Sequence, residues 1–225
     1  WQWRIPLQHR TGNGHVYCSK YMSDSEAKEI LLENLEGEAL AEPKLLRFKT
    51  GMRRKFWNKN CVAIGLSSGF LEPLESTSIH LIQSSISKLI AFFPHASFDQ
   101  TDIDKYNQIL TTEMLAIRDF IILHYKVSQR TDSEFWNYCR HMEVPESLQK
   151  KINLYHSSGR LFRDNNELFD DVSWFAVMQG QGLQATKYHP LVDELEDDKF
   201  IQFMEEIKAV IRRSADAMPT HEDYI

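Results

Sequence analysis

The stretch from Cys61 to Phe93 constrains the fold most, because its periodicity changes inside it. Cys61-Val62-Ala63-Ile64 is an apolar, strand-like run. Gly65-Leu66-Ser67-Ser68-Gly69 turns the chain, and Phe70-Leu71-Glu72-Pro73-Leu74-Glu75-Ser76-Thr77-Ser78 carries it to a long amphipathic run, Ile79 to Phe93. Strand, glycine loop and helix start is a way for backbone to approach an anion or cofactor. Glycine removes the Cβ, and the first N–H groups of a helix have no intrahelical acceptor. Glu72 and Glu75 place two carboxylates beside that helix head. By spacing alone, Ser76 or Thr77 is equally an ordinary N-cap.

Elements on either side follow from the same signals. Trp1, Trp3 and Ile5 alternate with Gln2 and Arg4 in a strand stopped at Pro6. Arg10–Gly14 is a turn cluster, and His15–Cys18 reads as the returning strand of a hairpin. Ser23 or Ser25 caps a helix over Glu26–Glu36, with Ile30, Leu31 and Leu35 on one face and Gly37 as its stop. Lys44–Lys49 and Lys55–Ile64 read as strands. Helices then dominate: Thr77–Phe93; Asp102–Tyr125, with Tyr106, Leu110, Met114, Ile117 and Ile121 at helical spacing; Ser133–Arg140; Pro145–Ser157; and Leu168–Met178. Asp197–Met218 closes the series, with Phe200, Phe203, Ile207 and Ile211 expected to face inward.

Composition narrows the function classes. A net charge of -6 provides no bulk basic footprint, so neither nucleic acid nor a membrane surface is the expected partner. The basic and aromatic run Lys49–Trp57 reads instead as an exposed edge strand. Cys18, Cys61 and Cys139 are odd in number and widely spaced, which is neither a disulfide framework nor a zinc pattern. They fit a reducing, cytoplasmic location. No metal site is expected: His80 and His156 are lone histidines, and His221-Glu222 is a polar tail. The chain starts at Trp1, inside an aromatic alternation and without methionine, so it reads as a piece of a longer protein.

Two motifs, in order, carry a family resemblance. Trp1-x-Trp3-x-Ile5-Pro6, followed by Gly12-Asn13-Gly14-His15-Val16-Tyr17, resembles the Trp-x-Trp-x-Ile-Pro region of the flavin-dependent halogenases, the tryptophan halogenase family. Asn60–Leu66 leading into Phe70–Thr77 resembles that family's next block. A weaker likeness reaches Gly159-Arg160-Leu161-Phe162 and Trp174–Gly182. The resemblance implies the C-terminal part of an α/β fold of the flavin monooxygenase-like, FAD/NAD(P)-binding type. Residues 1–79 would belong to an incomplete flavin-binding domain, and residues 80–225 to a mainly helical substrate-side region.

The resemblance also implies the chemistry. FAD in its reduced form (FADH2) and O2 oxidise chloride or bromide to hypohalous acid, which crosses an internal tunnel and halogenates an electron-rich aromatic such as tryptophan or an indole. Glu75 would be the catalytic carboxylate near the substrate ring. Thr77 and Ser78 would offer N–H groups to the halide, Ser78 standing where the family often has glycine. Leu66 and Ile79 would touch the flavin through their backbone. Trp1 and Trp3 would wall flavin from substrate. A separate flavin reductase is the implied partner, and the assembly is open between monomer and homodimer.

Two departures qualify this. No Gly-x-Gly-x-x-Gly occurs, and the family's catalytic lysine belongs to sequence upstream of this chain, so the chain alone is not expected to turn over. The region Asn165–Phe175 has neither the Tyr-Tyr nor the Phe-Trp pair that grips free tryptophan in the relatives chlorinating it. Glu167, Phe169 and Trp174 are substrate-contact candidates there, with a core helix over Leu168–Met178 as the alternative. The resemblance to relatives acting on indoles or larger, carrier-bound aromatics is greater. A flavin-dependent monooxygenase or hydroxylase, and a non-catalytic helical interaction domain, are the competing readings.

Overall fold

The computed structural model describes residues 1–95, 97–164 and 167–224. They form two units, Trp1–Leu45 with Lys187–Ile225, and Leu46–Thr186. The expected boundary at residue 79 falls inside the second unit.

In the first unit, β1 (Gln2–Pro6) pairs antiparallel with β2 (Thr11–His15). The return strand therefore begins earlier than the turn cluster suggests. The turn is Leu7–Arg10, closed by Leu7 N–H to Arg10 O at 2.9 Å. Trp3 explains the shift. A Cβ on Gly14 would lie 2.3 Å from its indole, and one on Gly12 would lie 3.3 Å away. These glycines are a floor for the tryptophan rather than turn residues. Helix α1 (Asp24–Glu33) starts at Ser23, whose Oγ accepts the Glu26 N–H at 3.2 Å. It ends at Asn34, before Gly37.

Residues 44–49, which cross from the first unit into the second, form no regular element, and only short ladders occur in the second unit. Gly51–Met52 (β3) pairs with Gly69–Phe70 (β6), and Trp57–Asn58 (β4) pairs with Cys61–Val62 (β5). The long strand expected over Lys55–Ile64 is thus a tight hairpin, with Lys59 in the left-handed region at φ 56°. Of the run Lys49–Trp57, Lys49–Lys55 is exposed as an edge would be, but its last two residues are not. Phe56 and Trp57 are consecutive and both buried, which strand alternation forbids. Asn107 resolves the backbone requirement: its Oδ1 accepts both N–H groups at 2.7 and 2.8 Å, and its Nδ2 donates to Trp57 O at 2.9 Å.

Helix α2 (Ser78–Ala91) follows, then α3 (Gln100–Lys126), capped by Asp99 accepting the Thr101 N–H at 2.7 Å. As the spacing predicts, Tyr106, Leu110, Met114, Ile117 and Ile121 are all buried on α3. Its first half packs with Phe56, Trp57, Leu81 and Leu89; its second half packs with Leu148, Tyr155, Trp174 and Met178. Each fully buried apolar side chain contributes roughly 1.5–3 kcal/mol, so α3 is the axis of both cores. Those partners come from β4, α2, α5 (Glu146–Ser158) and α6 (Asp171–Gly180), with α4 (Glu134–His141), capped by Ser133, against the far end of α3. Helix α6 is capped by Asp170, two residues past the expected start.

The tail of the first unit holds α7 (Asp197–Asp216) and α8 (His221–Tyr224). The helix is where expected, but the inward face is not: Phe200, Phe203, Ile207 and Ile211 are 39–63% exposed, and α7 buries no residue. All three cysteines are free. Among the described residues, no group of His, Cys, Asp and Glu could hold a metal ion, and no helix is long and apolar enough to cross a membrane.

Candidate active site

The loop between β5 and α2 lies along α3, and glycine permits that approach at two points. Gly65 has φ +65°, a region that L side chains rarely adopt. At Gly69 a Cβ would lie 2.7 Å from both Gly51 O and Met114 Cε. Pro73 opens a 3-10 turn, Pro73–Glu75, and Ser76 follows in the left-handed region at φ 51°. That residue turns the chain so that Thr77 becomes the N-cap of α2. Thr77 is buried, and its side chain makes no cap hydrogen bond. The first bond of the helix is Leu81 N–H to Thr77 O at 2.9 Å. Among the described residues nothing accepts the N–H of Thr77 or Ser78, so the helix head keeps donors free for a guest. Thr77, Ser78 and Leu66 line one cavity of about 40 Å³ with Gly65, Phe70 and Ile82. That volume suits a small ion with a water or two rather than a ring system. Leu66 and Ile79 are 75% and 71% exposed, which leaves both residues open to a larger group.

Glu75 sits three residues before Ser78, and α3 holds it. His124 Nε2 lies 2.8 Å from Glu75 Oε1, and His124 Nδ1 lies 2.8 Å from Phe120 O. A carbonyl only accepts, so Nδ1 carries a proton. The Nε2···Oε1 contact then requires a second proton, either on the imidazole or on the carboxyl. Burial lowers the His124 pKa, but the hydrogen bond to Glu75, the Phe120 carbonyl and the charges of Glu75 and Glu72 outweigh it, and the net shift is upward. The upward shift favours the imidazolium form of His124 beside Glu75 Oε1. Oε2 of Glu75 has no partner among the described residues. The next residue, Tyr125, donates its hydroxyl to Glu72 Oε1 at 2.5 Å, which assigns Glu72 a contact that its sequence position does not disclose.

His124 and Tyr125 are the site residues that sequence reasoning misses. They lie 49 and 53 positions from their partners, and a lone histidine near a helix end has no signature. Its only sequence signal is its place on the buried face of α3, one turn after Phe120.

The three substrate-contact candidates converge elsewhere on α3, although Asn165 and Asn166 of that region lie outside the described residues. Phe169 stacks on Phe120 at 3.9 Å between centroids, and Trp174 meets Phe120 edge-on at 5.0 Å. Trp174 is only 2% exposed and belongs to the second core of α3. Lys151 Nζ lies 5.1 Å over its ring. Glu167 is buried and lies 3.3 Å from that lysine; burial pushes its pKa up despite the ion pair. The ring of Phe120 also touches His124, 4.9 Å away, so this aromatic group backs the Glu75–His124 pair. Trp1 and Trp3 belong to the first unit. There Trp1 exchanges two backbone bonds with Val16, and Trp3 rests on Gly14.

The tryptophan halogenase family model matches residues 1–197. The chain belongs to this family. The 7-chloro-L-tryptophan 6-halogenase KtzR of Kutzneria sp. is 34% identical over the whole chain, which covers 44% of that relative. A flavin-dependent halogenase from Xanthomonas campestris superposes with a TM-score of 0.96 at 46% identity, and BrvH from Brevundimonas sp. superposes with 0.95 at 46% identity. Both are matched over 100% of this chain and 45–46% of their own length. The chain thus spans less than half the length of these relatives. The few strands and many helices found here fit a portion of such a halogenase.

Proposed function

We propose that this chain supplies the halide and substrate side of a flavin-dependent halogenase acting on an electron-rich aromatic such as tryptophan or an indole. The observation that carries this reading is the Glu75–His124 pair beside the unpaired N–H groups at the head of α2. Reduced FAD, once bound, would supply with O2 the oxidising equivalent that converts chloride or bromide to hypohalous acid. The exposure of Leu66 and Ile79 suits contact with that ring system.

The chain's own residues divide the remaining work. Thr77 and Ser78 N–H groups, backed by the α2 dipole, hold the halide. Glu75 Oε2 faces the reacting aromatic. When the ring takes up halogen as an electrophile, its C–H proton must leave, and Glu75 accepts it. His124 keeps the other oxygen fixed, so the carboxylate does not turn away as it changes charge. By the family resemblance alone, Trp1 and Trp3 would wall flavin from organic substrate. Phe169, Trp174 and Glu167 shape the floor behind Phe120. Because Trp174 is buried and Glu167 is engaged by Lys151, these residues are poorly placed to grip a free amino acid, which favours indoles or larger aromatics. A separate reductase would supply the reduced flavin.

The test is Glu75→Gln in the full-length protein. Turnover should fall by about 10²-fold, in line with loss of a general base, while flavin binding is unchanged. Wild-type turnover in that variant would remove Glu75 from the catalytic role. A product mass that gains oxygen and no halogen would instead identify a hydroxylase.

A further inference from the structure

We propose that Glu113 is a positioning residue for the halide seat: from α3 it grips three side chains of α2 one turn apart and so fixes the first turn of that helix. The inference rests on the reading of Thr77 and Ser78 as that seat. Glu113 lies in the middle of α3 and is only 7% exposed. His80 Nε2 is 3.0 Å from its Oε1, Ser84 Oγ donates to both oxygens at 2.7 and 2.9 Å, and Lys88 Nζ lies 3.0 Å from Oε2. Lys88 also bonds to Ser84. Positions i, i+4 and i+8 form one row on a helix, so a single carboxylate meets a whole face of α2.

Adhesion alone does not require this arrangement. Leu81, Leu89 and Phe92 of the same segment already pack against the first core of α3. Burying a carboxylate is costly unless it is fully partnered. What a polar clamp adds is direction: apolar packing tolerates small rotations and slides, whereas three donors held on two oxygens, Ser84 shared between them, do not. The first turn of α2 has particular need of it. Thr77 provides no side-chain cap, and Ser76 before it sits in the left-handed region. His80 is two residues past Ser78, and its bond to Glu113 anchors that turn from one side. Glu75, three residues before Ser78, is anchored from the other side by His124. Both anchors stand on α3, eleven residues or about 16 Å apart along its axis. Lys88 balances the charge of Glu113, so the clamp does not place a bare anion near a site for anions.

The experiment uses the full-length protein with reduced flavin and aromatic substrate saturating and chloride varied. Chloride affinity of the resting protein is read separately by chloride NMR line broadening. Glu113→Gln should raise the chloride KM and Kd about tenfold, equivalent to about 1.4 kcal/mol, with kcat and flavin affinity within about twofold. Ser84→Ala, which keeps the charge pair, should raise both about threefold; it decides the matter if Glu113→Gln does not fold. Ser78→Pro tests the seat itself, because it removes the donor at the first helical position, with Thr77 ahead of it (φ −80°, ψ −3°) required to adjust. If Ser78→Pro weakens chloride while Glu113→Gln and Ser84→Ala do not, the positioning role is overturned and the seat stands. If Ser78→Pro leaves chloride affinity unchanged, the seat fails and the positioning role falls with it. A lower melting temperature or kcat without weaker chloride binding would make Glu113 merely structural and would overturn the proposal.

Discussion

Helices α3 and α7 look alike as sequences and differ completely as structures. Each exceeds eighteen residues, and each carries an apolar row at helical spacing. Eleven residues of α3 are buried; none of α7 is. Periodicity specifies a helix and a face, but burial needs a facing surface. For α3 that surface comes from β4, α2, α5 and α6. A second difference follows. The buried face of α3 also carries Asn107, Glu113 and Asp119. Polar groups persist there because each has partners: Asn107 holds the backbone of β4, Glu113 holds α2, and Asp119 pairs with Arg118 and Ser147.

The comparison can be broken or sharpened by substitution, beginning with the largest effect. Leu123→Ala on α3 should cost about 3–4 kcal/mol, because a fully buried leucine leaves a cavity; urea unfolding of the chain would show it. A loss below about 1 kcal/mol would mean that α3 is no more an axis than α7. Asn107→Ala should cost about 2–3 kcal/mol by leaving the Phe56 and Trp57 N–H groups unpaired in the core.

The His124–Glu75 pair should contribute a smaller, pH-dependent stability. Since the folded pKa of His124 lies above its ordinary value of 6.5, the contribution is fully present below that value and is lost as pH rises from 6.5 through the raised value. Unfolding curves across that window should converge with those of His124→Gln at its upper end. A gap that widens with rising pH would reverse the assignment of charge. At the small end, Ile207→Ser on α7 should change the stability of this chain by less than about 0.5 kcal/mol. A larger loss would show that this face is covered.

The candidate site is legible unevenly, and particular residues show why. Glu75, Thr77 and Ser78 are visible because loop, cap and helix head are neighbours in sequence, and local geometry follows from local residues. The hairpin start was misplaced because Gly12 and Gly14 carry two meanings, turn permission and room for an indole, and only Trp3 across the ladder selects the second. The strand expected through Phe56 and Trp57 failed for a related reason: Asn107, fifty residues on, satisfies backbone groups that a sheet would otherwise have taken. The positions of α2 through α6 were readable to within about three residues, since capping and periodicity act over one or two turns.

By itself the sequence determined the order of the helices, the glycine approach at Gly65 and Gly69, the carboxylate next to a helix head, and the two motifs that point to the family. These depend on interactions a few residues long. Only the tertiary structure decided that His124 holds Glu75, that Tyr125 holds Glu72, that Glu113 gathers a face of α2, and that the apolar row of α7 meets no facing surface within this chain. Each of those depends on two surfaces meeting across tens of residues. A side chain's type states what it can bond to, and the fold alone states what comes within 3 Å of it.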